Sequence, residues 1–212
     1  MRPIETVWHG HRFRSRLEAR WAVLFECLCI PWEYEPQGFE LDDGVTYLPD
    51  FLLHGMHGRS GDHLYVEVKG HMTEADLMKV RLFSKYESLY LVTDIPYGRR
   101  FRMDDNLSRR HWAWVDDMRD VCYGWPYPYS FEYVDGDMFG AFLGVDRNGR
   151  PELFGDDGYY LRDACDTACA LAYFTASMCR FDHGEQPEDL PQFGLAKAIV
   201  SSASTHPFIP MQ

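Results

Sequence analysis

Between Leu64 and Asp94 the chain sets a strand, a helix and a second strand in close succession, and this order limits the folds open to it more than any other stretch. In "LYVEVKG", Leu64, Val66 and Val68 alternate with Tyr65, Glu67 and Lys69. One face of that strand is therefore apolar, and the other carries an acid and a base that point the same way. Thr73 can cap a helix running to about Tyr86, with Leu77, Val80, Leu82 and Phe83 at helical spacing; "SLYLVTD" then supplies a buried strand that ends by Pro96.

Upstream, Thr6 to Arg14 alternate around His9 and Gly10, which predicts a small hairpin or an extended lead-in. Ser15 can cap a helix whose Leu17, Trp21, Leu24, Phe25 and Leu28 mark one apolar face until Pro31 stops it. Trp32 to Leu53 reads as short strands, with a turn at Asp42, Asp43 and Gly44 and a break or edge position at Pro49. The run "HGMHGRSGDH" reads as a loop. Helix, strands, helix and strand in this order predict an α/β or α+β fold, with a central mixed β-sheet flanked by helices.

Past Pro96 the composition shifts to an aromatic, turn-rich stretch that includes "CYGWPYPYSFEYV". Asn148-Gly149 predicts a hairpin, a helix is expected near Leu161 to Phe181 with Gly184 as its stop, and one short helix follows Gln186. We divide the chain into a core at residues 1–95 and an aromatic-rich α+β extension at residues 96–212, packed on that core. The alternating Tyr123, Trp125, Tyr127, Tyr129, Phe131 and Tyr133 suit a core or a subunit contact better than base stacking, because Pro126 and Pro128 mark an irregular edge.

The 212 residues are 46% hydrophobic, enough for one sizeable core. No leader-like start and no long apolar run is present, so a cytosolic protein is expected, in the host cell if the chain is phage-encoded. The six cysteines form no CxxC pair; reduced thiols are expected, with Cys165 and Cys169 packing into a core instead of binding zinc. A formal net charge of −12 excludes broad, nonspecific affinity for nucleic acid, so a role on DNA must rest on local basic clusters. One is Arg12, Arg14, Arg16 and Arg20; another is Arg99, Arg100, Arg102, Arg109 and Arg110.

Phosphodiester cleavage at neutral pH needs a nucleophilic water, relief of charge at phosphorus and help for the leaving oxygen, and Mg²⁺ held by carboxylates supplies all three. Asp50 on a bent strand and Glu67 on a neighbouring one can converge on a single ion, with Lys69 reaching the same pocket. Glu18 stands three residues after Ser15 and also fits the reciprocal partner of a capping box.

"LPDF" followed by "VEVKG" resembles the PD-(D/E)XK nuclease signature, with Pro49, Asp50, Glu67, Val68 and Lys69 in its positions. "FRSRLEARWAVLFECLCIPWEYEP" resembles the segment preceding that signature in phage-type endonuclease I Holliday junction resolvases and in transposase nuclease subunits. The similarity covers roughly residues 11 to 94. It implies a restriction-endonuclease-like core in which Asp50, Glu67 and the Val68 backbone carbonyl ligate Mg²⁺ or Mn²⁺. Glu18 would complete the site, and Lys69 would position the attacking water or stabilise transition-state charge. It further implies DNA as substrate and a homodimer. Arg12, Arg14, Arg16, Arg20, His54 and His57 are the candidate DNA contacts. The long connection from Asp50 to Glu67, with His54, His57 and His63, departs from the resolvase pattern. Two alternatives stay open: an RNA- or single-strand-directed nuclease, and a nuclease-fold binding or anti-defence protein that engages a host or phage protein through its acidic surface.

Overall fold

His9 (φ 52°) and Gly10 (φ 80°) are both left-handed, and this conformation closes the first hairpin between β1 (Thr6–Trp8) and β2 (His11–Phe13). The computed structural model describes residues 4–58, 61–93, 130–134, 137–155, 166–182 and 184–205. The basic cluster from Arg99 to Arg110, the aromatic run from Tyr123 to Tyr129 and Cys165 lie outside them.

Ser15 begins α1 (Arg16–Cys27) as expected, its side chain accepting from the Glu18 N–H. After α1 come β3 (Trp32–Tyr34), β4 (Phe39–Glu40), a 3-10 turn at Asp42–Gly44 and β5 (Thr46–Tyr47). Pro49 falls in the break before β6 (Phe51–Gly58). Strand β7 (Gly61–Val68) pairs antiparallel with β6, and β8 (Leu89–Val92) lies parallel to β7. A parallel pair needs a crossover. That crossover is α2 (Glu74–Phe83), started by a Thr73–Asp76 capping box.

"HGMHGRSGDH" is not the loop its composition suggests: β6 and β7 run through it, and only residues 59–60 fall between them. Cross-strand pairing to a well-packed neighbour outweighs the glycines. The pairing register shifts between His54 and Gly58, where Gly55 takes φ 73°, a conformation glycine adopts without strain.

Strands β9 (Ser130–Val134), β10 (Asp137–Val145) and β11 (Pro151–Gly155) extend the same sheet, with β9 hydrogen-bonded to β8. The seven-stranded order is β11-β10-β9-β8-β7-β6-β3, mixed in direction as expected. The β10–β11 hairpin turns at Asn148-Gly149, where Asp146 accepts from the Asn148 and Arg150 N–H groups. Helices α3 (Asp166–Met178) and α4 (Pro191–Thr205) follow. The latter runs to fifteen residues, longer than the short helix expected.

One core gathers α1, α3 and α4 against Phe51, Leu53, Val66, Val68, Tyr90, Val92, Leu143 and Val145 of the sheet. A second core, on the other face, gathers Tyr65, Leu89 and Leu91 with Val80 and Phe83 of α2 and Tyr47 of β5. The sheet is thus covered on both sides. The alternation in β7 sends Glu67 and Lys69 to the α2 face with Tyr65.

Candidate active site

Asp50 immediately precedes β6, and Glu67 is the penultimate residue of β7. Because Phe51 stands opposite Val66, pairing of these strands brings the two acids to the same end of the hairpin. Both are withdrawn from water, Asp50 at 1% and Glu67 at 2% exposure. Buried carboxylates need partners. The Val68 N–H donates to Asp50 Oδ2 (2.7 Å), while the Arg14 guanidinium sits on Asp50 Oδ1. Tyr47 donates its hydroxyl to Glu67 Oε2 (2.8 Å), and Lys69 Nζ lies 2.5 Å from Glu67 Oε1.

Burial and the neighbouring Glu67 push the Asp50 carboxyl up to about 8, against the opposing influence of Lys69 and the Val68 N–H. Burial works against the charge on Lys69, but Glu67 and then Asp50 outweigh it, so its affinity for the proton is raised. Lys69 is consequently a cation at neutral pH, suited to stabilising negative charge and not to acting as a base. Burial also opposes the charge on Arg14, and Asp50, the Tyr34 hydroxyl, Glu18 and Glu35 together hold it firmly protonated.

Glu18 is buried at the start of α1, at 6% exposure. Its Oε1 accepts from the Ser15 hydroxyl (2.8 Å), and its Oε2 from the Tyr34 hydroxyl (2.6 Å) and the Arg14 N–H (3.0 Å). It therefore ties the backbone carrying Arg14 to α1 and β3, and its charge is felt at Asp50. Glu35, left-handed at φ 48°, closes the arrangement: its N–H donates to the Asp50 carbonyl (2.8 Å), and its carboxylate holds Arg14 Nε (3.0 Å). A non-glycine residue in that conformation is strained, and strain of this kind gathers at functional sites.

Asp50, Glu67 and Lys69 thus meet in one place, and Val68 joins them through its N–H. Among the described residues no group of three His, Cys, Asp or Glu side chains forms a ready metal cage, so Glu18 stands beside the pair without completing one. The buried pair itself fits a hard divalent cation. It offers oxygen donors, and Asp50 Oδ1 and Glu67 Oε1 each face a cationic nitrogen that such an ion would replace.

The remaining candidates fall elsewhere. Arg12 pairs with Glu5, Arg16 with Asp182 (2.5 Å), and Arg20 donates to the Cys179 carbonyl (2.7 Å). His54 Nε2 lies 2.7 Å from Glu33 Oε1, and His63 Nε2 lies 3.6 Å from Glu87. His57 is on β6, and its side chain is outside the described set. Reading the sequence for charge placed Arg14 among arginines facing DNA and did not connect it to Asp50. It also passed over Tyr34, Glu35 and Tyr47. Tyr47, three residues before Asp50, read only as strand content. Cys27, Cys29, Cys169 and Cys179 are free thiols. No helix among the described residues is long and apolar enough to cross a membrane.

Set against known protein families, characterised proteins and solved structures, the chain shows no match.

Proposed function

We propose that this chain is a divalent-metal-dependent DNA endonuclease of the PD-(D/E)XK type, with a restriction-endonuclease-like core, acting in the cytosol and as a homodimer on branched DNA. One observation supports the reading above the others. Asp50 and Glu67, two buried acids from adjoining strands, stand together with Lys69 on Glu67 and the Val68 N–H on Asp50.

Asp50 and Glu67 would hold Mg²⁺ or Mn²⁺ through one carboxylate oxygen each, with the Val68 carbonyl as a backbone donor and Glu18 acting through an ordered water. Mg²⁺ there would lower the barrier by favouring water ionisation and offsetting charge at phosphorus. Lys69, charged and released from Glu67 Oε1 by the ion, would orient the attacking water and stabilise the oxyanion that develops on phosphate. Tyr47 fixes the Glu67 carboxylate so that its other oxygen faces the site. Arg12, Arg14, Arg16, Arg20, His54 and His57 stand as phosphate contacts only where DNA displaces their present protein partners.

Incubation with supercoiled, linear and four-way-branched DNA, with Mg²⁺ or with a chelator, tests this. The reading expects metal-dependent cutting that falls by about 100-fold or more in Lys69→Met and vanishes in an Asp50→Asn, Glu67→Gln double variant. Equal cutting by that double variant, or none by the wild type on any DNA, would sink it. The net charge of −12, together with arginines already paired to protein groups, favours a second reading if no DNA is cut: a binding protein that engages a basic protein partner.

A further inference from the structure

Arg14 reaches Asp50 from outside. Its side chain is 54% exposed, whereas Asp50 is almost wholly buried. Its backbone is fixed, with the Arg14 N–H bonded to Glu18 Oε2 and to the Tyr34 hydroxyl (3.1 Å). A fixed base with a long, half-exposed arm lets the guanidinium leave the pocket without unfolding anything around it. Besides Asp50, the side chain is held by Glu35 at Nε (3.0 Å) and by the Tyr34 hydroxyl.

The two oxygens of Asp50 are not equivalent. Oδ2 accepts from the Val68 N–H at the end of the β6–β7 hairpin, which leaves Oδ1 as the oxygen open to an ion, and Oδ1 is the atom that Arg14 covers. A divalent cation and a guanidinium cannot share that oxygen without strong repulsion in a water-poor pocket. Resting on the metal-site reading above, we propose that Arg14 is a resident cation on Asp50 Oδ1 that a divalent ion displaces when it loads. Metal binding and the Arg14–Asp50 pair are then mutually exclusive. Loading swaps a monovalent protein cation for a divalent one and frees a guanidinium at the mouth of the site.

Mutual exclusion carries a cost in apparent affinity. If Arg14 covers Asp50 nine-tenths of the time, the ion binds about tenfold more weakly than to an uncovered site. Calorimetric titration of Mg²⁺ into the wild type and into Arg14→Met, at about pH 9 to limit proton competition at Asp50, reads this directly. The expected result is binding about tenfold tighter in Arg14→Met, with Arg14→Gln alike and Arg14→Lys closer to wild type. A circular-dichroism spectrum checks that each variant is folded. A second measurement needs no variant to fold: the Arg14 Nη–H resonances of the wild-type protein, followed by NMR, should lose their ion-paired shift as Mg²⁺ saturates, since Nη2 is the nitrogen on Asp50.

If the wild type binds Mg²⁺ but Arg14→Met binds it no tighter, or the Arg14 resonance stays unchanged at saturation, displacement is wrong while the metal site stands. If neither protein binds Mg²⁺, both the metal-site reading and this inference fall. Binding by Arg14→Met alone would support displacement in its strongest form.

Discussion

Asp50 holds its proton more tightly in the fold than in the unfolded chain, because burial and Glu67 raise it from 3.8 to about 8. The sign follows from linkage: this group's contribution to stability is complete below about pH 3.8 and is lost as pH climbs through about 8. Without metal, the melting temperature should therefore fall between about pH 4 and about pH 8, and Asp50→Asn should flatten that fall. Saturating Mg²⁺ should oppose it, since the ion binds the ionised carboxylate. Thermal melts across that range, with and without Mg²⁺, check all three. Tyr47 makes a separate point. Tyr47→Phe leaves Glu67 Oε2 buried without its donor and should cost about 1–3 kcal/mol, read from urea unfolding. An unchanged midpoint would mean that water replaces the lost hydroxyl.

The elements around the site were largely legible in the chain. Thr73 started α2, Asn148-Gly149 turned β10 into β11, and the alternation of β7 placed Glu67 with Lys69. Helix α1 was legible on one side only. Its Trp21, Leu24 and Phe25 stripe was evident, but Ala22, Val23 and Cys27 are buried too, because α3 and α4 pack against the helix as well as the sheet. That burial comes from residues more than a hundred positions away, and no local period reports it. Trp21 is fully buried, edge-on to Tyr90 (6.1 Å) and Tyr173 (6.4 Å), so it joins helix, sheet and α3. Trp21→Ala should cost about 3–5 kcal/mol, measured as a shift in denaturant midpoint. The pairing of Arg14 with Asp50 was illegible for the same reason: thirty-six positions separate them, and only the hairpin, α1 and β3 together bring them into contact.

On the scale of the whole molecule, the acids sit at one end of the β6–β7 hairpin, one strand in from the β3 edge of a sheet that β9, β10 and β11 carry onward from β8. Tyr90 links the two parts: it accepts the Leu143 N–H (3.2 Å) from β10, and the Tyr173 hydroxyl of α3 donates to the Leu143 carbonyl (2.8 Å). A fragment of residues 1–95 would expose the β8 edge and the α3-facing side of α1, so it should show no cooperative unfolding transition by calorimetry. A sharp transition would mean that the first part holds its own core. The central claim, that Asp50 and Glu67 form a divalent-ion site, is tested most directly by anomalous diffraction from crystals soaked in Mn²⁺. The account predicts a peak about 2.1 Å from one oxygen of each acid, with Arg14 withdrawn from Asp50. A saturating soak that leaves no peak there, and leaves Arg14 on Asp50, would contradict it.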